Sequence, residues 1–484
     1  MQLNQLKIFH EQAFIAGKWC DAQNQQSTAI INPATMQIIG HVPNMGKAEA
    51  EIAIQAAKQA YPEWKAKTAK ERSIILKKWN DLLLEHLDEL AFILTSEQGK
   101  PLSEAQGEIR YAASFVEWFA EEAKRTYGDV IPSPDSDAQI IVTKQPIGIV
   151  AAITPWNFPA AMITRKVAPA LAAGCPCIVK PAPETPFTAL AMLDLAIQAG
   201  VPAEIFSVIT GDAIQIGDAF FESNDVRKLT FTGSTPVGKL LLEKSAKTMK
   251  KVSLELGGNA PFIIFNDANI DAAVEGALAA KFRNAGQTCV CVNRFLVQAG
   301  VYDQFIAKFK ERIQKFSVGS GLEPIHDIGP LINKNAISKV KAHIQDAVEK
   351  GAKLIVGGKG HCLGELFFEP TLIIDVTTEM DVATQETFGP LAAIFKFEDE
   401  KQALEMANAT EFGLASYCYT NDLGRAWRMS QQLEYGMVGI NKGLISNEVS
   451  PFGGIKSSGL GREGSKYGIE DYMEIKYTMF GGLK

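Results

Sequence analysis

The sequence lacks any apolar run long enough to cross a lipid bilayer. Its longest near-apolar run, residues 167–179, is interrupted by Pro169, Gly174 and Pro176 and is shorter than the roughly 20 residues that a spanning helix needs. The first residues, MQLNQLKIFHEQAF, do not have the basic start and apolar core of a secretory signal. We therefore expect no membrane segment, no membrane partner and no export signal.

Histidine is scarce, and the cysteines follow no disulfide pattern. None of the six histidines stands with a cysteine or carboxylate at metal-ligand spacing, so we expect no metal site and expect any catalytic base to be a carboxylate. The seven cysteines are an odd number without framework spacing, which is typical of a reducing compartment. We therefore expect a cytoplasmic protein. The histidines are His10, His41, His86, His326, His343 and His361.

The chain also lacks an excess of basic residues. Its 48 Lys and Arg against 55 Asp and Glu give a formal charge of −7 and a pI near 5.6. Nucleic acid and anionic membranes are therefore not expected partners, and a small molecule is. With 484 residues, of which 46% are hydrophobic, the chain is long enough for two or three domains.

Short β-rich runs alternate with helical segments along most of the chain. This alternation predicts an α/β fold built on a doubly wound parallel sheet. Helical periodicity predicts long helices in the first part, at residues 46–61, 70–98 and 103–125. The predicted strands are 149–153, 177–179, 205–209, 229–231 and 252–256, then near 294–298, 353–356, 391–397, 414–420 and 437–441.

Polar or proline-containing motifs follow three of these strands. They are TPWNFP at residues 154–159, KPAP at residues 180–183 and TGS at residues 232–234. Parallel sheets bind dinucleotides beyond the carboxyl ends of their strands, so these loops are candidates for a cofactor site. Gly233 and Ser234 open a helix, a position that suits a pyrophosphate.

Two further glycine-rich stretches match nucleotide-binding patterns incompletely. Residues 459–464, GLGREG, fit GxGxxG, but we expect no strand before them. Residues 233–239 resemble a P-loop, but Leu240 stands where magnesium binding needs Ser or Thr. The sequence therefore gives no support to an ATPase.

Residues 286–294, GQTCVCVNR, place a cysteine after a glycine and two polar residues. A run with helical spacing, residues 267–282, precedes them, so we expect Cys289 on a loop held at a helix end. Free cysteines are most often small core residues. Here the flexible, polar surroundings favour a thiolate nucleophile that backbone amides stabilise.

Four long motifs are spread through nearly the whole chain, and they keep the order that similar motifs have in a known family. GQTCVCVNR, LELGGNAP at residues 254–261, TPWNFP and PFGGIKSSGLGREG at residues 451–464 resemble the aldehyde dehydrogenase superfamily, and the paired Cys289 and Cys291 resemble its succinate-semialdehyde dehydrogenase branch. The resemblance implies a Rossmann-type cofactor domain, an α/β catalytic domain and a small β oligomerisation arm. It also implies NAD(P)-dependent oxidation of succinate semialdehyde to succinate, a step of 4-aminobutanoate degradation.

Three catalytic roles follow from the resemblance. Cys289 would add to the aldehyde, giving a thiohemiacetal and then a thioester, while the amide of Asn157 and a backbone amide stabilise the oxyanion. Glu255 would activate the hydrolytic water, although an isolated glutamate could instead only pair with a lysine. Cys291 is either the partner of Cys289 in a strained, labile disulfide that acts as a redox switch, or an inert cysteine.

The resemblance also implies how NADP or NAD is held. Lys180 would lie at the adenosine ribose, Glu386 would hold the nicotinamide ribose, and Phe388 would line the ring. Pro183 stands where NAD-preferring relatives often place a glutamate that repels a 2′-phosphate, so we expect NADP to be accepted and favour it over NAD. The full expected set is Thr154, Pro155, Trp156, Asn157, Lys180, Pro183, Gly233, Ser234, Leu256, Glu386 and Phe388.

Two arginines are candidates for binding the substrate. Arg165 follows Asn157 by eight residues and Arg283 precedes Cys289 by six, so we expect two helices to carry them to one reaction centre. Each arginine alone is most simply a surface ion pair. Together with Ser446 they match the clamp of the resembled branch, which holds an aldehyde's terminal carboxylate in a planar fork.

The resemblance divides the chain into three parts that are not contiguous in sequence. We expect the tail to end as a strand whose exposed edge a second subunit covers, giving a homo-oligomer, either a dimer or a tetramer. The expected parts are a cofactor domain at 1–127 and 146–256, with part of 442–466 near the active site, a catalytic domain at 257–441, and an arm at 128–145 and 467–484.

Three other functions stay open at this point. A dehydrogenase for glutarate semialdehyde or another aldehyde would share every motif. A CoA-acylating enzyme would share Cys289, but the presence of Glu255 speaks against it. A non-catalytic binding protein would not need Cys289, Asn157 and Glu255 together.

Overall fold

Four β-sheets organise residues 1–483, the part of the chain that this computed structural model describes. Together with the helices that cover them, they confirm the predicted α/β class. The strands are β1 Ala13–Ile15, β2 Lys18–Cys20, β3 Ser27–Ile31, β4 Ile38–Pro43, β5 Asp129–Ile131, β6 Gln139–Pro146, β7 Ile149–Ile153, β8 Cys177–Lys180, β9 Phe206–Val208, β10 Val226–Thr232, β11 Lys251–Glu255, β12 Ala260–Ile264, β13 Val292–Gln298, β14 Lys353–Val356, β15 Thr371–Ile374, β16 Leu391–Phe397, β17 Ala415–Tyr419, β18 Met437–Ile440, β19 Gly459–Leu460 and β20 Met473–Phe480.

Helices cover the two larger sheets. None of those described is long and apolar enough to cross a membrane. The α-helices are α1 Lys47–Ala66, α2 Ala69–Glu85, α3 Leu87–Gln98, α4 Leu102–Glu122, α5 Ala161–Ala173, α6 Pro186–Ala199, α7 Ala213–Glu222, α8 Thr235–Ala246, α9 Ile270–Phe282, α10 Tyr302–Ile313, α11 Lys334–Glu349, α12 Asp381–Thr384, α13 Glu400–Asn408, α14 Leu423–Gln432 and α15 Ser465–Gly468. Short 3₁₀ turns lie at Leu3–Gln5, Ala123–Arg125, Arg283–Gly286, Ala299–Val301, Lys456–Ser458 and Glu470–Tyr472.

The first sheet has eight strands in the order β19-β11-β10-β7-β8-β9-β1-β2. Its central strands β7 to β11 are parallel, and the short strands β1, β2 and β19 pair antiparallel at its edges. Helix α5, which follows β7, is buried at every residue, and this burial explains the nearly continuous apolar run of that segment. The order reverses beside β7, where a dinucleotide site is expected.

The second sheet has seven strands in the order β14-β15-β16-β13-β12-β17-β18. All neighbours are parallel except β14 and β15. The sequence analysis missed β12 and β15. Strand β12 follows β11 with only four residues between them, so the chain passes from the first sheet to the second through the LELGGNAP motif.

The third sheet joins two distant segments of the chain. Strand β20 pairs antiparallel with β6 along its whole length, from Met473 opposite Pro146 to Phe480 opposite Gln139, and β5 pairs with the other edge of β6. Several apolar side chains of β20 are exposed, among them Ile475 and Tyr477.

One predicted helix was wrong in its extent. The structure divides residues 70–98 at His86, whose φ of −93° and ψ of 21° end α2 and start α3. Neither Gly nor Pro marks this break in the sequence. The new direction lets α3 bury all of its last six residues, including the polar Glu97 and Gln98, and local periodicity does not reveal such burial.

Candidate active site

A cleft of about 450 Å³ lies where the carboxyl ends of β7, β10 and β11 face the second sheet. It brings the predicted nucleophile together with most of the predicted cofactor residues. Its lining consists of Pro155, Trp156, Asn157, Thr232, Gly233, Ser234, Leu256, Gly257, Cys289, Asn335, Ala336, Lys339, Glu386, Thr387 and Phe388. The sequence analysis missed the part of this lining that helix α11 provides.

Helix α11 reaches the cleft with its first two turns. Its N-terminus is capped by Asn333, whose Oδ1 accepts a hydrogen bond from Ala336 N at 3.0 Å. An asparagine before a helical run is a signal for a helix start. Nothing in the local sequence, however, connects Asn335 or Lys339 with a cleft whose lining residues outside α11 lie at least 46 positions away.

Cys289 lies on a tightly wound loop after helix α9. Asn284, Ala285 and Gly286 have φ angles of 52°, 55° and 76°, so three successive residues are left-handed. The loop also packs closely against Gly258, where an added Cβ would lie 2.5 Å from the Cys289 carbonyl oxygen. Burial raises the pKa of Cys289 to about 12, and the charge of Arg165 is the largest opposing effect.

Asn157 is buried, and hydrogen bonds to both its side-chain amide and its backbone carbonyl fix its orientation. Its Nδ2 donates to Gln287 O at 3.1 Å, which leaves the second N–H of the amide free for a substrate oxygen. Its backbone carbonyl accepts hydrogen bonds from Lys100 Nζ at 2.7 Å and from Asn284 Nδ2 at 2.9 Å. The side chain is therefore held next to the loop that carries Cys289.

Glu255 ends strand β11 and is almost completely buried. Its Oε2 has no hydrogen-bond partner among the described residues. Burial, reinforced by the negative charge of Glu463, raises the pKa of Glu255 well above its usual range. A carboxyl group with a raised pKa is suited to take up a proton near neutral pH.

Glu386 and Phe388 form the opposite wall of the cleft. Glu386 Oε1 accepts from Gly258 N at 3.0 Å, and burial raises the pKa of Glu386 to about 7. Phe388 has a left-handed φ of 56°, which is a strained conformation for an aromatic residue. Its ring meets Trp156 edge to face, with the centroids 5.5 Å apart. The wall therefore combines aromatic surface with a buried carboxyl group.

Three of the expected cofactor residues do not line this cleft. Thr154 and Lys180 are buried at adjacent strand ends, where Thr154 N donates to Lys180 O at 3.1 Å. Lys180 Nζ donates to Pro181 O at 2.9 Å, and burial lowers the pKa of Lys180 to about 8. Pro183 lines a separate depression of about 300 Å³ together with Asn333.

Arg165, which was predicted to bind the substrate carboxylate, already has an acidic partner. It is fully buried, its Nε lies 2.8 Å from Glu463 Oε2, and its guanidinium lies 3.8 Å from the Phe452 ring centroid. The N–H is not aligned for a hydrogen bond, and Nη2 also has no partner among the described residues. Lys166 forms a second ion pair with Glu463. In the sequence, Glu463 stands out only as part of the GLGREG stretch, and no motif indicates this role.

Arg283 lies one residue beyond the helix on which it was expected. Helix α9 ends at Phe282, and Arg283 begins the following 3₁₀ turn with a ψ of 133°. Its guanidinium lies 5.2 Å from the ring centroid of Phe158, and its Nε is buried without a partner among the described residues. Ser446 is half-buried in the loop after β18.

Cys291 is buried deeper than Cys289. Its Sγ lies 3.3 Å from Lys281 Nζ, and its backbone N–H donates to Thr288 O at 3.0 Å. Burial raises the pKa of Cys291, while Lys281 opposes this effect. A disulfide with Cys289 would therefore require Cys291 to leave its contacts with Lys281.

Comparison with known proteins gives consistent results along the whole chain. The model of the aldehyde dehydrogenase family matches residues 19–478. A succinate semialdehyde dehydrogenase of Acinetobacter baylyi is 74% identical over 483 residues, which cover 100% of both chains. A glutarate-semialdehyde dehydrogenase of Pseudomonas aeruginosa is 60% identical over 483 residues, which also cover 100% of both chains. The crystal structure of an E. coli NADP-dependent enzyme, 59% identical, superposes with a TM-score of 0.97 over 98% of both chains.

Proposed function

Because this chain belongs to the aldehyde dehydrogenase family, we propose that it oxidises succinic semialdehyde to succinate with NADP or NAD as the hydride acceptor. The observation that carries the proposal is Arg283, whose buried Nε has no partner among the described residues and whose positive charge acts on Cys289. An aldehyde with a terminal carboxylate would use this charge, whereas an alkyl aldehyde would not. The 74% identity to a succinate semialdehyde dehydrogenase supports this choice of substrate.

The proposed reaction begins with a covalent bond between Cys289 and the aldehyde carbon. The Cys289 thiol first gives up its proton to solvent water. The thiolate sulfur then adds to the carbonyl, and the resulting oxyanion accepts hydrogen bonds from the free N–H of Asn157 and from the backbone N–H of Cys289. Loss of a hydride from that carbon, with its electron pair, leaves a thioester. The closeness of Asn157 to the Cys289 loop supports these roles.

Hydrolysis then releases the acid. Glu255 takes a proton from water, the water oxygen attacks the thioester carbon, and the carbon–sulfur bond breaks to return the Cys289 thiolate. The unpartnered Oε2 and the raised pKa of Glu255 support this role, because both indicate a carboxyl group that exchanges a proton. The same features do not favour a CoA-acylating enzyme, which would not need a base for water.

The residues of the cleft fit a nicotinamide cofactor, which accepts the hydride when it is bound. No side chain caps the N-terminus of helix α8, so the amides of Thr235 and Val237 are available to a pyrophosphate beside Gly233 and Ser234, while Pro236 between them has no N–H. Trp156 and Phe388 offer aromatic surface, and Glu386 offers a carboxylate for ribose hydroxyl groups. Thr154, Pro155, Lys180, Pro183 and Leu256 complete the proposed set.

The choice between NADP and NAD depends on the adenosine end. Pro183 has no charge to repel a 2′-phosphate, and Lys180 lies nearby at the end of β8. We therefore favour NADP, and the E. coli neighbour with 59% identity is an NADP-dependent enzyme. Among acidic groups, the carboxyl of Glu184 has the largest charge effect on Lys180, and an orientation of Glu184 towards the ribose would favour NAD instead.

Glutaric semialdehyde is the second candidate substrate, since a glutarate-semialdehyde dehydrogenase is 60% identical over 483 residues. The two acids differ by one methylene, and a pocket discriminates a methylene only by about 1–3 kcal/mol. Assaying succinic and glutaric semialdehyde, butanal and pentanal with both cofactors tests the proposal. A higher kcat/KM for succinic semialdehyde than for the other three supports it, and a preference for an uncharged aldehyde refutes it.

Three features of the whole protein are also proposed. The membership of the strands in three of the four sheets supports a cofactor domain at 1–127 and 146–256, with part of 442–466 near the active site, a catalytic domain at 257–441 and an arm at 128–145 and 467–484. The exposed apolar residues of β20 support a homo-oligomer, because a second subunit would cover them. The unpaired cysteines support a cytoplasmic location.

A further inference from the structure

A buried lysine that no sequence motif indicated reaches the backbone of Asn157. Lys100 Nζ donates to Asn157 O at 2.7 Å and to Glu108 Oε2 at 2.5 Å. The side chains of Lys100 and Glu108 are 0% and 1% exposed. The hydrogen bonds of this ion pair are charge-assisted because the groups are ionised. Since the pair is shielded from water, these bonds are also strengthened by the low local dielectric.

Asn284 donates a second hydrogen bond to the same carbonyl. Its Nδ2 lies 2.9 Å from Asn157 O and 3.2 Å from Gln287 O, the oxygen to which the Asn157 side chain itself donates. Gln98 Nε2 donates to Asn284 Oδ1 at 3.0 Å and so fixes the orientation of the Asn284 amide. Both lone pairs of the Asn157 carbonyl are therefore occupied, and the peptide unit cannot rotate freely.

The ion pair also anchors the helix that follows Asn157. No side chain at the start of helix α5 caps it. Instead, Glu108 Oε1 accepts from Ala160 N at 2.9 Å and from Ala161 N at 3.3 Å. One carboxylate thus holds the start of α5, while its lysine partner holds the carbonyl of Asn157 three residues earlier.

We propose that Lys100 and Asn284 are positioning residues that hold Asn157 where its amide can stabilise the oxyanion. The inference rests on the proposed role of Asn157. An oxyanion donor acts only within about 2.7–3.1 Å of the developing charge, and a displacement of about 1 Å can cost on the order of 10²-fold in rate. Neither Lys100 nor Asn284 lines the cleft, so their loss changes the rate of the chemical step and not the binding of cofactor.

The test is a double-mutant cycle with Asn157→Ala. The first variant is Lys100→Met/Glu108→Gln, which removes both charges together and keeps an oxygen that accepts from the amides of α5. The second is Asn284→Gly, which deletes the side chain at a φ of 52° that glycine tolerates, and it also serves if the first variant does not fold. Single-turnover formation of NADPH from succinic semialdehyde and the Kd of NADP are measured for each.

Each variant alone is expected to slow NADPH formation by about 10- to 100-fold at an unchanged Kd, and to slow it much less when Asn157 is already alanine. The inference is overturned if a variant slows NADPH formation by the same factor with Asn157 and with alanine at this position, or slows it in neither case. Normal rates for Asn157→Ala itself overturn the proposed oxyanion role as well. Lys228→Met is the matched control, because Lys228 is equally buried but donates to Ser253. Lys228 lies near the start of strand β10, whereas the cleft that Asn157 lines is at the carboxyl end of this strand.

Discussion

Arg165 and Glu463 form a buried ion pair, with Nε and Oε2 2.8 Å apart, next to the carboxyl group of Glu255. Both members of the pair act on the charge of the proposed base. Lys166 forms a second ion pair with the same glutamate, and these two cations keep the pKa of Glu463 below its usual range. Glu463 is therefore the negative charge that opposes ionisation of Glu255.

Glu463→Gln should shift the pH dependence of turnover. Glu255 acts as a base only when it is ionised, so activity is lost as the pH falls through its pKa. Removal of the negative charge of Glu463 lowers that pKa, and the acid limb of kcat should move to lower pH. Glu470→Gln is the control, since Glu470 pairs with Lys144 outside the site. An acid limb that stays in place or moves to higher pH contradicts the proposed coupling.

Glu255→Gln should separate the two halves of the reaction. The thiolate step does not need Glu255, so one burst of reduced cofactor per site should remain, while steady-state turnover falls by about 10²- to 10⁴-fold because water lacks its base. Stopped-flow absorbance of the reduced cofactor measures both phases. Unchanged steady-state turnover would exclude the role of Glu255 in hydrolysis.

Pro183→Glu should shift the cofactor preference from NADP towards NAD. A carboxylate at this position repels a 2′-phosphate and accepts hydrogen bonds from ribose hydroxyl groups. The ratio of kcat/KM for NADP to that for NAD should therefore fall. A wild-type enzyme that strongly prefers NAD, together with a ratio that Pro183→Glu leaves unchanged, would show that this position does not control the choice.

Cys291→Ala tests the proposed redox switch. If Cys289 and Cys291 form a disulfide under peroxide, dithiothreitol should restore the wild-type enzyme but not Cys291→Ala, whose nucleophile has no partner and oxidises further. The contacts of Cys291 with Lys281 must break first. Equal inactivation rates for the two enzymes, with no rescue of either, would show that the second cysteine is inert.

The fold could be predicted well because its signals are local. Strands β7 and β16 coincide with the predicted residues, since buried strands are continuous apolar runs between turn signals. Strand β14 also coincides, although none of its residues is buried. Strand β12 was missed because Pro261 and the preceding glycines resemble a loop, although the proline lies inside the strand. The left-handed φ angles of Asn284 and Ala285 were also unpredictable, because ordinary residues adopt them only where distant contacts hold them.

The site was predictable only as far as its motifs are contiguous in sequence. The sequence indicated Cys289, Asn157 and Glu255 through long motifs, and the structure brings Cys289 and Asn157 to one cleft. It did not indicate Glu463 or Lys100, because each acts through a buried ion pair whose partner is recognisable only in three dimensions. For the same reason, the sequence analysis treated Arg165 as free for the substrate when it already has a partner.

The central claim is that this enzyme recognises the carboxylate of an acid semialdehyde. The most direct measurement is kcat/KM for succinic semialdehyde and for butanal, with NADP, in the wild type, in Arg283→Ala and in Arg110→Ala, an exposed control on helix α4. A charge-assisted hydrogen bond contributes about 1.5–3 kcal/mol, so Arg283→Ala should lower the value for succinic semialdehyde by about 10- to 100-fold and that for butanal much less. Equal losses on both aldehydes would contradict the account.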